Sequence, residues 1–143
     1  MNIEHIYALF PDHKSCIVCI QQVRWGSEIK CPYCNSENIT SMANENRHHC
    51  NRCNTSFAAT VGTLFHRSKV ELQKRFFALF LALHSSRPLS VRKLATAISV
   101  NPNTAWQINQ KMKKALLEER DFLRSIVEYI EQREPENSQI AGA

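Results

Sequence analysis

Read from the N-terminus, the alternation of apolar and polar positions divides the chain into helical stretches and one segment of a different kind. After Asp12-His13-Lys14-Ser15, the residues Cys16, Ile17, Ile20 and Val23 recur at helical spacing, with Asp12 placed to accept the free amides of a first turn, so a short helix is predicted over 13–24. Gly26-Ser27 breaks it. From Lys30 to Phe57 the chain turns polar, with a turn at Asn35-Ser36-Glu37-Asn38 and short β-like pieces such as Ile39-Thr40-Ser41-Met42. That segment has too few apolar side chains to build a core and needs another source of cohesion.

Helical periodicity returns after a connector. Ser68-Lys69-Val70-Glu71 has the form of a capping box. Val70, Leu72, Phe76, Phe77, Leu79, Phe80, Leu81 and Leu83 then predict a helix of about four turns, ended by Arg87-Pro88-Leu89. Ser90 caps a short helix carrying Val91, Leu94, Ala95 and Ile98. After the turn Ser99-Val100-Asn101, a new helix opens with Asn101 as cap and Pro102 at its first position, and runs through Ala105, Ile108, Met112 and Leu116. Three helices with a tight turn between the second and third follow the plan of a helix-turn-helix. Phe122, Leu123, Ile126, Val127 and Ile130 mark a last amphipathic helix, read either as a packing element of the same body or as a homodimer contact.

The expected fold class is mainly α: a small segment of short β-strands whose cysteines, Cys31, Cys34, Cys50 and Cys53, have the paired spacing of a zinc ribbon, then a three-helix helix-turn-helix unit and a C-terminal amphipathic helix. The expected divisions are a helical segment 1–29, the ribbon 30–57, a connector 58–67, the helix-turn-helix 68–120, the C-terminal helix 121–134 and a disordered tail 135–143.

Composition narrows the class. At 143 residues, 43% hydrophobic and 22% charged, the chain is of ordinary globular make-up. Its longest apolar run, Phe76 to Leu83, is less than half a membrane span. Met1-Asn2-Ile3-Glu4-His5 lacks the features of a secretion signal, so a cytoplasmic location is expected. Three glycines and no Gly-Lys-Ser/Thr string argue against nucleotide hydrolysis.

The net charge of +5 is unevenly placed. Residues 1–60 are neutral, residues 61–120 hold eleven bases against three acids, and residues 121–143 are acidic. A concentrated basic segment is the footprint of a polyanion-binding element, with solvation of helix surfaces as the alternative.

Two signals carry chemistry. Cys31-Pro32-Tyr33-Cys34 and Cys50-Asn51-Arg52-Cys53 stand fifteen residues apart, the spacing of a zinc ribbon in which two knuckles supply four thiolates to one ion. Four protein ligands leave no position for water, so one structural Zn2+ is expected, its binding free energy serving as the folding energy of the ribbon. Cys16 and Cys19 form a third Cys-x-x-Cys pair, read as small core residues, with a redox pair or a partial metal site as alternatives. His48 and His49 are read as surface residues beside the metal.

The second signal is the helix after Asn101. With Ala105, Ile108 and Met112 turned to the core, Asn103, Thr104, Gln107 and Lys111 face outward and are the candidate base contacts, while Arg92, Lys93, Lys113 and Lys114 are candidates for phosphates. Trp106 either packs against the first helix or stacks on the sugar-phosphate edge.

Arg24-Trp25, the two Cys-x-x-Cys pairs followed by Phe57, then Gly62-Thr63-Leu64-Phe65-His66-Arg67-Ser68-Lys69, and finally Leu94-Ala95 with Asn103-Thr104-Ala105-Trp106, resemble the N-terminal region of zinc-ribbon insertion-sequence transposases over about residues 7–120. The resemblance implies binding of transposon ends in double-stranded DNA, and in that family a DDE-type nuclease domain follows. Here the aspartates number two, Asp12 and Asp121, and no catalytic strand follows Arg120. The expectation is a zinc-dependent, sequence-specific DNA-binding protein without catalysis, an end-binding fragment or transcriptional regulator. The competing expectation is an adaptor that contacts transcription machinery through the ribbon and the C-terminal helix. An HUH-type nuclease would need a His-hydrophobic-His pair, which His48-His49 is not.

Overall fold

A computed structural model describes residues 2–42, 47–66, 69–85, 87 and 89–133. The tail expected to be disordered lies outside the described residues. Two N-terminal helices, α1 (Ile3–Leu9) and α2 (His13–Arg24), lead into a three-stranded sheet of β1 (Ile39–Met42), β2 (Arg47–Cys50) and β3 (Thr55–Ala58). Four helices follow: α3 (Leu72–His84), α4 (Val91–Ile98), α5 (Pro102–Glu118) and α6 (Arg120–Gln132). No helix among the described residues is long and apolar enough to cross a membrane.

The caps explain the boundaries. Asn2 accepts from the amide of His5, and Asp12 from that of Ser15 at 2.7 Å; Ser90 and Asn101 do the same for α4 and α5. The start of α3 differs from the capping box expected at Ser68. Ser68 itself lies outside the described residues, and the helix begins at Leu72 behind Glu71, whose side chain makes no cap bond. Its carboxylate instead accepts from the hydroxyl of Tyr7 in α1, a long-range partner that no local pattern announces. The carboxamide of Gln73, buried in the first turn of α3, donates to the carbonyl of Phe10 at 2.9 Å.

The helices share one apolar core. Ile6 and Phe10 from the N-terminus, Ile17 and Ile20 of α2, Leu64 and Phe65 of the connector, and the inner faces of α3 to α6 form a single cluster. Phe76 stands at its centre, edge-on to both Phe10 and Phe65 at 5.2 Å. Leu123, Ile126, Val127 and Ile130 of α6 are buried in this cluster, so its apolar face packs within the chain and is not left over for a dimer.

The sheet is antiparallel in the order β1-β2-β3, with Cys50 opposite both Ile39 and Thr55. Its own core is small: Cys31, Cys50 and Phe57, with Trp25, Ile29, Ile39 and Val61 around them.

Candidate metal centre and nucleic-acid interface

Each Cys-x-x-Cys pair is folded back by the residue that follows it. Asn35, after Cys34, has φ 62°, and Asn54, after Cys53, has φ 58°. Asparagine is among the few non-glycine residues that take this left-handed conformation at modest cost, and here it reverses the chain directly after the second cysteine of each pair. Within the turns, the amide of Tyr33 donates to Cys31 Sγ at 3.4 Å and that of Cys53 to Cys50 Sγ at 3.5 Å. Asn51 ties the second knuckle to the first strand through Asn38 and Thr40.

The result brings four sulfurs together. Cys31 and Cys53 lie 3.6 Å apart, Cys34 and Cys50 3.5 Å apart, and all four ligand atoms fall within 4.8 Å of one another. Tetrahedral zinc with Zn–S near 2.3 Å places its sulfurs about 3.8 Å apart, so the set fits one ion. The amides of Cys53 and then Arg52 draw the Cys50 thiol down to about 6, towards the thiolate a metal requires. These four cysteines hold one structural zinc. Its bound form supplies cohesion rather than a reaction centre, since every ligand position is a protein thiolate.

Cys16 and Cys19 are fully buried on the inner face of α2, and burial pushes both thiols up to about 12. That environment suits small core side chains and not a redox pair, which needs access and a lowered pKa. The position of His48 corrects its reading as a surface residue. At 5% exposure it is packed between Trp25 and Phe57. Its Nε2 donates to Gln21 Oε1 at 2.9 Å and its Nδ1 accepts from Ser41 Oγ at 3.0 Å. Burial lowers its pKa, favouring the neutral imidazole that this arrangement requires. His48 thus seams the sheet to α2. Its place on a β-strand with inward parity was the one available signal. The same seam accounts for Arg24-Trp25: the guanidinium lies over the indole at 4.7 Å and donates to the carbonyl of Ala59 at 2.9 Å.

On α5, Asn103, Gln107 and Lys111 are exposed and follow one another at four-residue steps, while Thr104 is half-buried on the flank. Gln110 shares their exposed side and was missed, although the same helical arithmetic includes it. Trp106 is 54% exposed, so it is not packed away against α3. Arg92 and Lys93 stand in the first turn of α4, both exposed. Lys113 and Lys114, adjacent in sequence, line different grooves: Lys113 the one between α3, α4 and α5, and Lys114, with Lys111, the one facing the connector. The turn before α5 is held by Lys74 of α3, which donates to the carbonyl of Ser99 at 3.1 Å.

A four-cysteine zinc ribbon seamed to a helical body is the class of protein that this geometry defines. Residues 11–56 match the model of a transposase zinc-ribbon domain. Over 112 residues the chain is 30% identical to an uncharacterized protein in transposable element ISH50 of Halobacterium salinarum, an overlap of 76% of this chain and 37% of that relative. The chain therefore spans well under half the length of that curated relative. No solved structure matches the chain. The protein is thus related to zinc-ribbon transposases through its N-terminal part and binds zinc there.

Proposed function

We propose that the protein binds double-stranded DNA sequence-specifically, as an end-binding part or transcriptional regulator of transposase descent, without catalysing a reaction itself. The observation that carries this reading is the outer face of α5, where Asn103, Gln107 and Lys111 stand exposed directly after a capped turn on a rigid body. The N-terminus of a helix following such a turn is the part that enters a major groove. Asn and Gln side chains there can pair with adenine edges, and Lys111 can reach guanine or phosphate. Arg92, Lys93, Lys113 and Lys114 supply phosphate contacts, so affinity falls steeply with salt.

Three of the acids are engaged in structural contacts. Among the described residues, Asp12 caps α2, Glu71 takes the Tyr7 hydroxyl, and Glu131 meets His84 at 2.7 Å. The adaptor reading loses part of its surface, because Ile126 and Ile130 are core residues.

Selection of bound sequences from a random duplex pool, with zinc-loaded protein, tests the reading. A single enriched motif is expected. In a variant carrying Asn103→Ala and Gln107→Ala, affinity for that motif falls about tenfold or more while random duplex is held within about twofold. Equal loss on both duplexes removes the base-contact assignment, and an unenriched pool favours the adaptor.

A further inference from the structure

The Gly62-Thr63-Leu64-Phe65-His66 connector plays no part in the assignment above, yet it is closely tied down. Arg75, on α3 and only 2% exposed, donates to the carbonyl of Leu64 and lies over the Phe65 ring at 5.8 Å. Arg24 of α2 holds the carbonyl of Ala59 from the other side. Between these two anchors the hydroxyl of Thr63 donates to the carbonyl of Thr60 at 2.7 Å and accepts from the amide of Phe65 at 3.2 Å. Gly62 takes φ 79°, where an added side chain would be strained and would meet the Arg24 guanidinium at 3.4 Å. A buried guanidinium, a half-buried one and a closed turn thus fix a loop whose outer side is open.

That outer side faces α5 across a groove. Thr63 and His66 line it from the connector, Lys111 and Lys114 from the helix, with Glu118 and Glu119 one turn further along. Lys111, Lys114 and the imidazole of His66 line it around backbone bare of a Cβ at Gly62. Two acids line the same groove, and Glu118 stands four residues after Lys114 on α5. Glu119 is partly buried and faces Arg24, while Glu118 is exposed at the end of α5 and limits the cationic stretch to the Lys111–Lys114 turn.

We propose that this groove seats a backbone phosphate of bound DNA, clamped between His66 of the connector and Lys111 and Lys114 of α5. The inference rests on the DNA-binding reading and extends the interface beyond the helices. Lys111 then serves the backbone rather than a base edge. A fixed loop suits this task, because ordering it at the moment of binding costs nothing further. Such a contact would help set the register of α5 on the duplex, since phosphate contacts position a protein without reading sequence.

The test compares wild type with a His66→Gln, Lys114→Gln variant and, as reference, Lys93→Gln, each zinc-loaded and with an unchanged melting profile. Binding of random-sequence duplex is measured across a salt series. The double variant should bind about tenfold or more weakly at moderate salt, with a salt slope shallower by up to about one, and Lys114→Arg should restore most of the loss. Nuclear magnetic resonance of the His66 ring supplies a second readout: duplex should shift it at concentrations where inorganic phosphate alone does not. Binding of the double variant within twofold of wild type, or a His66 ring shifted by inorganic phosphate but not by duplex, overturns the clamp while leaving DNA binding intact. Wild type that binds no duplex even at low salt overturns both readings.

Discussion

In the ribbon, the apolar cluster is Cys31, Cys50 and Phe57, two of them metal ligands themselves, and the strands are four residues long. The helical body, by contrast, buries more than twenty residues in one cluster that draws on every helix. Each apolar side chain removed from water contributes about 1.5–3 kcal/mol, so the body has a continuous source of stability and the ribbon has almost none of this kind. Metal coordination takes that place, with apparent free energies on the order of 10 kcal/mol for structural zinc. Where two such units share one chain, local order in each answers to a different perturbation.

Zinc removal gives the largest expected effect. A strong chelator, or Cys34→Ser, should abolish the sheet while most of the helical circular dichroism remains, and the dispersed amide resonances of residues 30–58 should collapse. Loss of helix in step with loss of metal would show that the two units do not stand apart. The reciprocal change is Phe76→Ala, which empties the centre of the core and should destabilise the body by about 3–5 kcal/mol in chemical denaturation. Stoichiometric zinc should still be bound by the folded fraction, as counted with a metal-sensitive dye. A smaller effect is expected at the seam. Gln21→Ala leaves the buried Nε2 of His48 without its acceptor, a cost of about 1–3 kcal/mol that should appear as faster hydrogen exchange in β2 with α3 to α6 unaffected. Uniform acceleration across the molecule would place that bond in the body's own stability.

The residues that were legible in the sequence are those whose partners are near in the chain or set by a period. The cysteine spacing prescribed the metal centre, and the caps at Asp12, Ser90 and Asn101 fixed three helix starts through amides three residues on. Period 3.6 identified Leu123, Ile126, Val127 and Ile130 as one apolar face, but periodicity cannot say what covers such a face. The partners that escaped are distant. Glu71 answers Tyr7 across 64 residues, Gln73 answers Phe10 across 63, and His48 answers Gln21 across 27. Glu71, read as half of a local capping box, belongs to the first of these pairs. Buried Arg75 follows the same rule, since a basic residue in a helix pattern reads as solvated until the carbonyl that holds it is known.

The contacts of α2 with α3 also set the order in which the chain can assemble. Joining these two helices closes an excursion of 47 residues, from Trp25 to Glu71, and the ribbon occupies most of it. Once the ribbon has condensed around its ion, the loose chain left to close is less than half as long. The entropy of closure falls only with the logarithm of that length, by about 0.8 kcal/mol, a few-fold in rate. The metal thus sets a tempo as well as a shape. If the helical body forms without zinc, it should do so a few-fold more slowly, because the two halves of its core must then find each other across a longer loop.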